Sequence, residues 1–122
     1  MNKLVKTVSN SNLYYEFLQS LNGILKLTDR ELELFATLLK FDVEYIDVPN
    51  KPKNIANTAN RKWIIQNLGI TRDNLSRYLR KFREEGFIVR GRVEGELSVA
   101  RALIPVIIKD RVQITIILKV DE

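Results

Sequence analysis

Between two runs of helical periodicity stand only three residues, Gly69-Ile70-Thr71, and few arrangements satisfy so short a join. The upstream run, Ala56–Leu68, carries Ile64, Ile65 and Leu68 on one side, with Trp63 covering its edge. The downstream run, Arg72–Glu85, places Leu75, Tyr78, Leu79 and Phe82 at the i, i+3, i+4, i+7 spacing of one helix face. Gly69 sits where a helix ends in left-handed backbone. Ile70 is the apolar residue that fills the corner. Thr71 has the hydroxyl needed to cap the free amides of the second helix. The pair reads as two helices crossing at a sharp turn.

The flanking sequence extends this unit on both sides. Thr28-Asp29-Arg30-Glu31 fits a capping box, with Thr28 as N-cap and Glu31 three residues on, and Leu32, Phe35, Leu38 and Leu39 form an apolar stripe behind it. Leu13, Phe17 and Leu21 predict an earlier helix, closed by Gly23. Leu4–Val8 and Tyr45–Val48 read as short strands, the second bounded by Pro49, and 49–53 as a loop. From residue 87 the period becomes two. Phe87–Arg92 and Leu97–Leu103 read as a hairpin around Val93-Glu94-Gly95-Glu96. After Pro105, Val106–Ile108 and Val112–Val120 flank a tight turn at Lys109-Asp110-Arg111. Val112, Ile114, Ile116, Leu118 and Val120 share one face of that last strand.

The charge is concentrated rather than spread. Nine bases against three acids between Arg61 and Arg92 give that stretch +6, where the whole 122-residue chain carries +5. Such an excess is the electrostatic footprint expected for phosphates. The chain has neither cysteine nor histidine. A Cys/His structural zinc site and the nucleophilic dyads and triads that need those side chains are therefore excluded. The acids are scattered, and no phosphate-binding or nucleophile-elbow motif occurs, so neither catalysis nor a cofactor is expected. No run is long and apolar enough for a membrane span, and the N-terminus lacks a signal peptide's apolar core; a soluble cytoplasmic protein is the expectation.

Leu68–Ile88, read together with the opening Leu27-Thr28-Asp29-Arg30-Glu31, resembles the winged helix-turn-helix of transcription regulators such as MarR-like repressors, and of plasmid and phage replication initiators. The resemblance covers about residues 27–103. It implies an α+β fold: a winged helix-turn-helix in a single domain, 1–122, with an N-terminal extension (1–26), a core (27–103) and a C-terminal β-hairpin extension (104–122). It also implies a recognition helix over 72–85 and a wing over 87–103 that meet double-stranded DNA.

On a wheel turning about 100° per residue, Asp73, Arg77, Arg80 and Glu84 point away from the apolar face, with Asn74 and Lys81 on a flank. Arg77 suits guanine and Asn74 suits adenine, so these two are the candidate base readers. Asp73 is placed to orient Arg77 or to accept from cytosine. Arg72, Ser76, Arg80 and Lys81 are phosphate candidates, and Arg90 and Arg92 are the wing's candidates for backbone or minor groove. The leading expectation is a DNA-binding transcription regulator. Two others stand beside it: a replication or DNA-processing accessory, and an interaction module docking on RNA polymerase or a larger assembly. A module of the last kind would expose apolar residues where this helix shows arginines. The apolar C-terminal hairpin must pack on the N-terminal helix or pair with a second copy, unless its strands simply enlarge the monomer's own sheet; a homodimer is expected through it or through Leu13–Leu21.

Overall fold

A computed structural model describes residues 3–121. Within them the chain is α+β, with four helices and two small antiparallel hairpins. The helices are α1 (Leu13–Leu25), α2 (Asp29–Val43), α3 (Thr58–Leu68) and α4 (Arg72–Glu84). The first hairpin pairs β1 (Ile88–Arg90) with β2 (Leu97–Val99), and the second pairs β3 (Ile107–Ile108) with β4 (Arg111–Val112). No helix among the described residues is long and apolar enough to cross a membrane.

One apolar cluster joins α1, all the later helices and the first hairpin. Phe17 and Leu18 enter it from α1, Leu34, Phe35 and Leu38 from α2, Ile64 from α3, and Leu75, Leu79 and Phe82 from α4. Its centre is aromatic: the Phe35 ring lies 5.1 Å from Phe82 and 5.8 Å from Phe87, ring centre to ring centre. Such pairs add about 0.5–1.5 kcal/mol each beyond the area they bury. Trp63 stays at the edge, set edge-on to Phe41 at 5.6 Å.

The capping box at α2 is present in full: the Thr28 hydroxyl accepts from the Glu31 amide, and the Glu31 carboxylate accepts from the Thr28 amide. Several element boundaries differ from expectation, each for a local reason. α1 runs through Gly23 to Leu25 and reverses at Lys26, whose backbone is left-handed at φ 58°. Asn22 makes that reversal, because its side-chain amide bonds both the N–H and the C=O of the buried Leu27. Tyr45–Val48 forms no strand. The Tyr45 amide instead bonds back to the Asp42 carbonyl, and the chain meets the hairpin later, at a parallel bridge between Asn54 and Leu97. α3 starts at Thr58 rather than Ala56, because Asn57 caps it by accepting from the Asn60 amide at 2.9 Å. α4 ends at Glu84, and Glu85 caps it.

The expected strands are also shorter. Leu4–Val8 is irregular and has no partner strand, with Leu4 and Val5 exposed. β1 stops at Arg90, so Arg92 lies in the connecting loop. β2 stops at Val99, and Arg101–Leu103 is a 3-10 turn. In the second hairpin Lys109 takes a left-handed φ of 57°. Arg111 consequently falls in β4 instead of the turn, opposite Ile108. The strand expected to continue to Val120 ends at Val112.

Candidate nucleic-acid interface

The turn between α3 and α4 is built as its residue types require. Gly69 holds φ 64° at the end of α3, a conformation any residue with a Cβ resists. The Arg30 guanidinium, from α2, donates to the Leu68 carbonyl that the helix end leaves free. Ile70 is buried, and the Thr71 hydroxyl accepts from the Asn74 amide at 3.2 Å. With Leu75, Leu79 and Phe82 buried, the rotation of α4 is fixed. Arg72, Asp73, Ser76, Arg77, Arg80 and Glu84 are thereby turned to solvent.

The candidate residues divide into three groups. Asn74 and Arg77 are brought together, since the Arg77 guanidinium donates to Asn74 Oδ1. The expected partner Asp73 is not used: its carboxylate is not within 4.0 Å of the Arg77 guanidinium, which bonds the i−3 amide instead. Arg72, Arg80, Arg90 and Arg92 have no carboxylate of the described residues within 4.0 Å. Ser76 is exposed between them on the same helix.

Lys81 belongs to neither group. Its ammonium is paired with Glu31 of α2, whose side chain is only 5% exposed. Burial pushes the Glu31 carboxyl up, but the bonds from Lys81 and from Thr28 outweigh it and hold its pKa below the ordinary range. The Glu31 bond in turn raises the Lys81 pKa. Lys81 thus fastens α4 to α2, and its charge is already compensated. Arg61 is similarly engaged, with Nε donating to the Ala56 carbonyl at 2.8 Å.

At the far end of α4, Arg90 of β1 shares a shallow cleft with Arg83, Glu84 and Gly86. Arg83 is half-buried and follows the outward Arg80 by three residues, the spacing of neighbours on a helix surface. Arg92 is exposed in the loop, with no hydrogen bond to α4 among the described residues. That loop is closed by Glu96, whose carbonyl accepts from the Gly91 amide at 3.2 Å. The Glu96 carboxylate lies over Gly91, where a Cβ would stand, and a side chain there would only displace this flexible carboxylate.

Comparison with family models, with curated proteins and with solved structures finds no match for this chain.

Proposed function

We propose that the chain is a DNA-binding transcription regulator of winged helix-turn-helix form, with α4 as the recognition helix and the β1–β2 hairpin as the wing, working in the cytoplasm without a cofactor. One observation carries this reading. The outward face of α4 holds Arg72, Ser76, Arg77 and Arg80 exposed, and Arg72 and Arg80 have no compensating carboxylate within 4.0 Å among the described residues. An exposed arginine with no acid beside it keeps its full field for a phosphate. The same helix is locked by three core residues and by Lys81, which gives the rigid presentation that base readout needs.

In this reading Arg72, Arg80, Arg90 and Arg92 meet phosphates, and Ser76 donates to one. Arg77 and Asn74 read base edges as a unit. The amide orients the guanidinium in the free protein, and both must repartner in the groove. Lys81 acts through Glu31 and touches no DNA. An interaction module would instead present apolar residues on this face of α4, where the outward residues are polar or charged.

The test is selection of bound duplexes from a random pool, followed by sequencing. A regulator enriches one motif. Salt-dependent retention without enrichment supports the DNA-processing accessory instead, and no retention of any duplex overturns the reading.

A further inference from the structure

From Gln113 to Asp121 the backbone makes no hydrogen bond among the described residues, although the sequence is rich in β-branched residues. Exposure rises along it, from 36% at Ile114 and 50% at Ile116 to 83% at Leu118 and 87% at Val120. An unpaired apolar segment of this length is a pairing template and, uncovered, an aggregation hazard. Its base is anchored, because Val112 packs on the core and β4 pairs with β3 along one edge.

The segment is complementary to itself. Antiparallel pairing with an identical copy, about a two-fold axis at Ile116, sets Val112 opposite Val120, Ile114 opposite Leu118 and Ile116 opposite Ile116. All five apolar residues of one face then match. The same register sets Arg111 opposite Asp121, twice per pair of chains. Sliding by one residue mates apolar with polar faces. Sliding by two, toward the turn, sets Arg111 against Lys119; sliding by two the other way sets the apolar Val112 against Glu122. The present contact of Arg111 with Asp110 is an exposed pair at 3.2 Å, which contributes little and yields readily. We propose that residues 111–121 are a dimerisation arm whose occupant is the same arm of a second copy, joined antiparallel in this register. The proposal is independent of DNA.

A single cysteine reads the register directly, since the chain has none of its own. Residues facing each other across antiparallel strands have Cα atoms about 4.5–5.5 Å apart, within disulfide reach. Under mild oxidation, Ile116→Cys of the full chain should form a covalent dimer. Ile114→Cys should not, because its own counterpart lies four residues along the strand, about 13 Å away. Light scattering of the unmodified chain should give twice 14.2 kDa. Arg111→Asp opposes two acids to two acids and should weaken the dimer at least about fivefold, while adding Asp121→Arg should restore it. Circular dichroism of each variant reports folding, and none of the substituted positions belongs to the core cluster. A monomer at about 100 μM, crosslinking of Ile114→Cys as fast as Ile116→Cys, or no rescue by the double swap overturns the proposal; a monomer whose arm is protected from proteolysis would show that its own chain covers it.

Discussion

Asp42 gives the clearest test of how the β1–β2 hairpin is held against the helices. The residue lies in the last turn of α2 and is buried. Its Oδ2 accepts the Val99 amide at 2.8 Å, and its Oδ1 accepts the Lys53 ammonium at 2.8 Å. One carboxylate therefore ties the second hairpin strand and the 49–53 loop to α2. Asp42→Ala strands the Val99 amide in the core, which forfeits a charge-assisted bond worth roughly 1.5–3 kcal/mol. Lys53 is 31% exposed at its side chain, so the ion pair adds no more than about 1 kcal/mol. The expected loss is about 2–4 kcal/mol, a large share of the stability of a small domain. Asp42→Asn keeps an oxygen for Val99 but gives up the ion pair and the charge on that bond, so it should cost about 1–2 kcal/mol. Urea unfolding followed by circular dichroism measures both. An alanine variant within about 0.5 kcal/mol of the parent, or an asparagine variant as damaged as the alanine one, would refute the reasoning.

Glu31 predicts a pH dependence with a definite sign. Its folded pKa lies below its ordinary value, so its contribution is present above that value and is lost as pH falls through the lowered one; the stability gap between the parent and Glu31→Gln should hold from neutrality down to the ordinary glutamate range and close as the pH falls below it, and a gap that widens in acid would contradict the assignment. Gly69→Ala must place a Cβ in left-handed backbone and should cost about 1–2 kcal/mol in the same unfolding assay, a neutral result showing that the turn adjusts. Arg77→Ala should lose roughly 1–3 kcal/mol on a selected site and relax preference there, and unchanged preference in competition binding would remove it from the readout pair.

The helices around the turn were legible because each rests on local chemistry. Thr28 with Glu31, Gly69, and Thr71 each act within a few residues of themselves, and the Leu75, Leu79 and Phe82 face follows a fixed period. The unread features act over long separations. Glu31 meets Lys81 and Asp42 meets Val99 across 50 and 57 residues, so neither acid reveals by its neighbours that it is buried. For Lys81, a helical wheel shows direction but not the Glu31 carboxylate that waits there. The strand expected through Val120 failed for a related reason: alternation states that a segment can pair, whereas a partner decides whether it does.

In the proposed function the uncompensated arginines of α4 and the hairpin bind phosphates. Its most direct measurement is the affinity for a random-sequence duplex between about 50 and 200 mM salt. Four phosphate contacts, from Arg72, Arg80, Arg90 and Arg92, predict a logarithmic slope near −3.6 and a fall of roughly a hundredfold over that range. Replacing Arg90 and Arg92 with alanine should reduce the slope by about half, equally on every sequence. No measurable binding at about 50 mM salt, or binding indifferent to salt, would contradict the account.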